Sequence, residues 1–199
     1  MKDKIYNILS FIGYSLREKM VLLSILGYIL IIISPWFSWY SSALSYTGVS
    51  EETKLSMFGL AGELVKDKSY IALGIFTMLV GFGLLIIEYK DYRMKLRSRL
   101  AATLAIEIIL YIVLIIMVIA AMNNEALREI MSYRQGEIKA LEYWIDEATG
   151  HCNRGVGPVL YISGLALAIF SKVGAYILYF IDYVKDSLTI KKRGINDDL

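Results

Sequence analysis

Residues 101–122 read AATLAIEIILYIVLIIMVIAAM, an apolar run long enough to cross a membrane that contains a single acid, Glu107. A helix of about 20 residues spans a hydrocarbon core of about 30 Å, because each residue advances it by about 1.5 Å. Three other runs are similarly long and apolar: residues 20–40, 70–89 and 156–183. A backbone in lipid must satisfy its own hydrogen bonds, and the alternating pattern of a membrane barrel is absent, so the four runs are predicted to be helices.

Composition and charge indicate a multi-pass membrane protein. Of the 199 residues, 57% are hydrophobic and the mean hydropathy is +0.54, more apolar than soluble domains. Lysine and arginine concentrate before the first run, between the second and third, and after the fourth. By the positive-inside rule, both termini are predicted to be cytoplasmic and the two long connections to face outside. The membrane is predicted to be the plasma membrane. The net charge of +2 is therefore a topology signal and does not indicate nucleic-acid binding.

The predicted fold is an all-α integral membrane domain over residues 1–199, a left-handed four-helix bundle with a small extracytoplasmic lobe. Residues 1–19 are predicted to form an amphipathic helix at the cytoplasmic interface or, alternatively, an extension of the first helix. The first long connection, residues 41–69, predicts a short β-hairpin around Thr47 and Gly48.

The second long connection, residues 123–155, has apolar residues near helical spacing. It is predicted to continue the third helix, to break near Gln135–Gly136 and to end in a second short helix at Gly150. The cytoplasmic side is completed by a link at residues 90–99 and a tail at residues 184–199.

Glu107 is predicted to pair with Lys172 inside the bundle. Each lies about 10 Å from the cytoplasmic end of its helix, and consecutive helices usually pack together. Tyr111 or Ser171 is expected to complete the hydrogen bonds. An intramembrane charge costs about 2.5–3.5 kcal/mol on insertion scales, and pairing relieves that cost. The pair is interpreted as fixing helix register. A coupling-ion or substrate site stays open, as does a lysine that reaches the interface beside a protonated acid.

Small residues recur at intervals of four and seven, a pattern that favours close helix packing in lipid. The predicted packing residues are Gly74, Gly81, Gly157, Gly164 and Ala168. The stripe that leads from Gly164 to Lys172 is predicted to face the third helix. Aromatic rings at the outer end of the first helix are predicted to anchor in the headgroup layer, with substrate stacking as the alternative. These rings belong to Trp36, Trp39 and Tyr40.

No motif of metalloproteases, serine hydrolases or P-loop nucleotide-binding proteins occurs, and no enzymatic activity, metal or cofactor is predicted. His151 and Cys152 are adjacent, and each is the only one of its kind. A structural zinc site needs four ligands, and a cysteine nucleophile needs a base held in place, so neither is predicted there. Cys152 is interpreted as an ordinary loop residue, with an intermolecular disulfide as the alternative.

The segments PWFSW (residues 35–39) and GVGPVLYISGLALAI (residues 155–169) give the chain a layout that resembles the claudin and peripheral-myelin-protein type of tetraspan. The resemblance implies four helices and a first outer loop that contains strands. In claudins this loop carries a tryptophan motif and two cysteines, whereas residues 41–69 contain neither Trp nor Cys. Only the architecture is carried over, without a barrier or adhesion function.

These features together predict a non-enzymatic accessory, scaffolding or assembly subunit that acts through its outer lobe and helix faces. Its expected partners are the lipid bilayer and other membrane proteins or further copies of itself. The alternative function is a small transporter or oligomeric channel that uses Glu107 and Lys172.

Overall fold

A computed structural model of the chain describes residues 19–60, 69–94 and 100–196. Helix α1 covers residues 19–33 and continues into a 3-10 turn at Ser34–Trp36. The elements that follow are β1 (Ser38–Tyr46), β2 (Val49–Ser56), the short turn of helix α2 (Met57–Gly59), α3 (Ser69–Met94), α4 (Leu100–Met122), α5 (Glu125–Trp144), β3 (Thr149–Arg154) and α6 (Val156–Asn196). The predicted interfacial helix at residues 1–19 lies, apart from Lys19, outside the described residues.

Among the residues that the structure describes, four helices, α1, α3, α4 and α6, are long and apolar enough to cross a membrane, which confirms the prediction of four such helices. Their outward surfaces carry large apolar side chains such as Ile109, Ile116 and Phe170, as a lipid-facing surface requires. Two boundaries differ from those predicted. The first helix ends at residue 33, because Pro35 cannot continue its hydrogen bonding, and α6 continues past residue 183 to Asn196.

The two long connections meet in one three-stranded antiparallel sheet of order β2-β1-β3. The central strand β1 pairs with β2 from the first connection and with β3 from the second, in a register that places Ser42 opposite both Thr53 and Cys152. Both connections therefore lie at the same end of the bundle. We call this unit, residues 37–60 and 123–155, the lobe.

The predicted hairpin is present and its turn is the one expected. Tyr46 pairs with Val49, which leaves Thr47 and Gly48 as a two-residue loop. Both have positive φ, 42° and 80°, the requirement of a type I′ turn that matches the twist of the strands. Thr47 adopts this backbone at a steric cost, because a branched Cβ crowds the left-handed region.

A bulge in β1 corrects the prediction that Trp39 and Tyr40 anchor in the headgroup layer. The pairing with β2 shifts between Ser38 and Tyr40, so that Trp39 is an extra residue and both successive rings are buried, at 1% and 2% exposure. The Trp39 indole donates a hydrogen bond to the Ser34 carbonyl at 2.9 Å and meets the Tyr161 ring edge-on. Trp36 remains exposed and packs beside Phe58.

Helix α5 also differs from the prediction. The break after α4 falls at Asn123–Asn124, where the Asn124 side chain accepts a hydrogen bond from the Leu127 amide and caps the new helix. No break occurs at Gly136, which lies on the exposed side of one continuous helix. The chain around Gly150 forms strand β3 instead of ending a helix.

Helices α1 and α6 cross closely where glycines lie between them. A Cβ built on Gly164 would lie 2.6 Å from the Gly27 carbonyl oxygen, and one on Gly27 would lie 2.8 Å from the Ala168 amide nitrogen. Gly164 and Ala168 therefore face α1, which corrects the prediction that this part of the stripe faces the third helix, whereas Lys172 at its end does contact that helix. Gly81 gives similar room to Ile32 of α1. Helix α4 contacts both α3 and α6.

The remaining predicted packing glycines serve the lobe. Gly74 makes room for the Phe58 ring and Gly157 for the Trp39 ring, so each fits an aromatic side chain from the lobe against the end of a helix. Tyr70 ties the same end together, because its hydroxyl donates to the Ala121 carbonyl at 3.2 Å.

We expect Gly164→Ala to destabilise the bundle by about 1–3 kcal/mol, because the added methyl meets backbone at the α1–α6 crossing and cannot be accommodated by a rotamer change. Thermal unfolding in detergent measures the change. Gly83→Ala is the matched control, since a Cβ there meets no atom within 4 Å. Equal stability of the two variants would contradict the close crossing.

Candidate functional site

Three charged side chains meet inside the bundle, each from a different helix. The Lys172 ammonium of α6 donates a hydrogen bond to Glu107 Oε1 of α4 at 2.7 Å and contacts Glu88 Oε2 of α3 at 2.5 Å. The side chains are 11%, 1% and 7% exposed, in that order. We call these residues the Glu-Lys-Glu triad. The structure thus brings together the two residues whose pairing was predicted and adds a second acid.

The triad lies far from the lobe. Counted along the helices from Met122, Val156 and Ser69, its members are about 22–28 Å below the lobe end at 1.5 Å per residue. This depth is within a hydrocarbon core of about 30 Å, toward the side opposite the lobe. Charges at such a depth are expensive unless they pair, which accounts for the direct contacts.

Tyrosine hydroxyls extend the polar cluster, although not as predicted. The Tyr28 and Tyr111 hydroxyls are hydrogen-bonded to each other at 2.7 Å across the bundle. The second carboxylate oxygen of Glu107 accepts from the Tyr176 hydroxyl at 3.4 Å. Ser171 was expected to join the pair, but its hydroxyl donates to the Ala168 carbonyl of its own helix.

The charge balance of the triad is uneven. Two carboxylates share one ammonium, so the three side chains carry a formal charge of −1 when each is ionised. Glu88 was missed because it lies one residue before the predicted end of its span, where an acid at the interface is ordinary. Counted from the lobe end, Glu88 lies about one helical turn deeper than Glu107, and depth alone does not show that its side chain turns inward.

A second prominent feature is the outward face of α5, the side turned away from the sheet. Tyr133, Tyr143 and Trp144 are 71%, 79% and 80% exposed, and the last two rings pack edge-on at 5.3 Å. Gly136 and Ala140 lie between the first ring and the last and leave a shallow groove. The groove is lined by Glu129, Ser132, Tyr133, Gly136, Glu137 and Ala140. We call this face, with Tyr143 and Trp144, the α5 surface.

The inner face of α5 is fixed to the sheet. Leu127 and Ile138 are buried against it. Arg134 contacts Glu137 of its own helix and Glu51 of β2. The hydrogen bond from Arg134 lowers the pKa of Glu137, and the same bond raises the pKa of Arg134. These contacts hold α5 in one position on the sheet, so that its outward side chains have fixed places.

Cys152 and His151 point to opposite faces of β3. Cys152 is buried beside Tyr40, whose pKa is raised chiefly by burial, and His151 is exposed. This placement corrects the interpretation of Cys152 as an ordinary loop residue, and it leaves its thiol without access to another molecule. In the part of the chain that the structure describes, no three His, Cys, Asp or Glu residues are grouped as metal ligands.

Comparison of the chain with models of protein families, with curated proteins and with solved structures finds no significant match. The candidate sites are accordingly argued from their own geometry.

We expect Lys172→Met to be the most destabilising single change in the triad, by about 3–5 kcal/mol, because it leaves two buried carboxylates without a cation. Glu107→Gln and Glu88→Gln should cost less, since one acid still faces the lysine. The triple change, Glu88→Gln with Glu107→Gln and Lys172→Met, should recover much of the loss.

The unfolding midpoint in mild detergent measures this series. A Lys172→Met protein as stable as the single glutamine variants would contradict the contacts described for the triad.

Proposed function

We propose that the protein is a non-enzymatic accessory or assembly subunit of the plasma membrane that binds another membrane protein through its lobe. The observation that supports this function is the α5 surface, on which three large aromatic side chains are more than two-thirds exposed. Exposed aromatic side chains on a rigid element are typical of protein-binding surfaces, where tyrosine and tryptophan contribute much of the affinity.

The rigidity of the lobe supports this proposal. Both connections contribute strands to one sheet, and that sheet is held to the bundle at several points. The Val156 amide at the start of α6 donates to the Ser38 hydroxyl of β1 at 3.3 Å, and the Arg154 side chain donates to the Met122 carbonyl at the end of α4 at 3.2 Å. A surface held in this way loses little conformational freedom on binding, which favours affinity.

The distance of the α5 surface from the bundle argues against a role as a membrane anchor. Helix α5 begins next to the end of α4, and Trp144 lies 19 residues further on, about 28 Å along its axis. The chain returns to the bundle along the 6 residues of β3, which cover about 17 Å, so the C-terminal end of α5 lies about one strand length from the start of α6. Interfacial aromatic belts lie at headgroup level, and a separation of about one strand length from the helix ends favours contact of these rings with another protein.

The charge distribution and the resemblance to tetraspans complete the proposal. With basic residues concentrated at the other end of the helices, the positive-inside rule places the lobe outside the cell and both termini in the cytoplasm. A four-helix protein of the claudin type likewise presents a strand-bearing lobe at the outer surface. The absence of Trp and Cys between residues 41 and 69 separates this chain from claudin barrier function.

The test is purification of the tagged protein in mild detergent, with quantitative mass spectrometry of the proteins that accompany it. Tyr143→Ala with Trp144→Ala should reduce a defined membrane-protein partner at least fivefold, because both side chains are removed from the binding surface. Phe170→Ala is the matched control, an exposed aromatic on the lipid-facing side of α6. Recovery of the protein alone, or of the same partners with both variants, would contradict the proposal.

A second candidate function, transport of protons or small cations, is favoured by one observation, the surplus carboxylate of the Glu-Lys-Glu triad. Buried acids that share a cation are used in membrane proteins to carry protons and ions. The triad joins three helices, and the Tyr176 hydroxyl donates to one of its acids. Together these side chains form a polar cluster inside an otherwise apolar bundle.

Reconstitution into vesicles that contain a pH-sensitive dye separates the two functions. An accessory subunit should move no protons down an imposed gradient. A proton flux that is lost with Glu107→Gln, while the variant unfolds at a temperature close to wild type, would establish transport. The same flux in protein-free vesicles is the blank, and Glu129→Gln on the lobe is the matched carboxylate control.

A further inference from the structure

We propose that the α5 surface binds a basic segment of the partner protein, with lysine or arginine side chains seated between Tyr133 and Trp144. This inference rests on the proposed function and adds the chemistry of the partner. It follows from the shape of the surface, from the sign of the charges around it and from its position relative to the bilayer.

The shape favours a side chain or a helix laid along α5. Tyr133 and Trp144 are separated by 11 residues, about three turns, so both lie on nearly the same side of the helix. Gly136 and Ala140 occupy the turns between them and lower the surface there. The result is a shallow trough that runs from Glu129 to Ala140 past the Tyr133 ring, with Trp144 about one turn beyond its end.

Both charged residues that line the trough are acids, and the exposed cations of the same helix, Arg128 and Lys139, are not part of its lining. Glu129 and Glu137 are its only charged lining residues, and Asp146 and Glu147 follow Trp144 in the next turn of the chain. Glu137 is paired with Arg134, but within the described residues no ion pair engages Glu129, Asp146 or Glu147. Unneutralised carboxylates beside exposed aromatic rings are complementary to cations, which bind carboxylates directly and ring faces by cation–π attraction.

A lipid headgroup is the poorer occupant. Anionic headgroups would be repelled by the same carboxylates, and the aromatic pair is displaced from the bundle by the length of β3. An acidic protein segment is excluded by like charge, which costs several kcal/mol when it is juxtaposed at an interface. A basic protein segment satisfies both the rings and the acids.

The experiment uses the full chain in nanodiscs of uncharged phosphatidylcholine and three fluorescent helical peptides of one design. The peptides carry lysine and arginine, glutamine, or glutamate at the same positions, and anisotropy measures binding. The basic peptide should bind at least tenfold more tightly than the glutamine peptide and lose affinity in high salt. Trp144→Ala should weaken it at least fivefold, and so should Glu129→Gln with Glu147→Gln.

Glu52→Gln is the control for loss of an acid elsewhere on the lobe, because Glu52 is exposed, pairs with Lys54 and lies on the other face of the sheet from α5. Equal binding of the three peptides, or equal weakening by Glu52→Gln and by the Glu129 and Glu147 changes, would overturn the inference. If no peptide binds while the co-purified partner still depends on Trp144, the proposed function stands and the basic chemistry is wrong. If the partner does not depend on Trp144 either, the proposed function fails as well.

Discussion

The pairing of β1 with β3 is the interaction on which the structure of the lobe depends. It joins a strand that follows α1 directly to a strand that leads directly into α6, so the first and last spanning helices are fixed to each other at one end. The Gly27–Gly164 crossing then holds the same two helices together deeper in the bundle. Without the sheet, the aromatic side chains buried at the helix ends, Trp39 above all, would have no second surface to pack against.

Sequence reasoning succeeded where a single physical constraint was strong. The length and polarity of the apolar runs predict the four helices, because lipid leaves a backbone no alternative. The depth argument predicts that Glu107 and Lys172 are near each other, and their atoms lie 2.7 Å apart. The Thr47–Gly48 turn follows from the alternation of the strands around it.

Sequence reasoning failed where tertiary pairing overrides local preference. Strand β3 reads TGHCNR, with little of the β-branched and aromatic pattern of a strand, and it forms because β1 offers a free edge. The bulge at Trp39 turns the side chain of an inserted residue to the buried side. The alternation of residues along a strand cannot reveal such an insertion. Glu88 went unnoticed because its place near the end of a span has an ordinary explanation, and only the helix packing shows its side chain turned inward.

The sheet topology has a consequence for biogenesis. β1 is made early, yet its partner β3 emerges only after α3, α4 and α5. Until then one edge of the β1–β2 hairpin is unpaired, and an unpaired edge is a template for wrong association. The interval in which this edge is open therefore lasts as long as the synthesis of α3, α4 and α5, so the order of elements along the chain sets how long the unfinished lobe is exposed to wrong pairing.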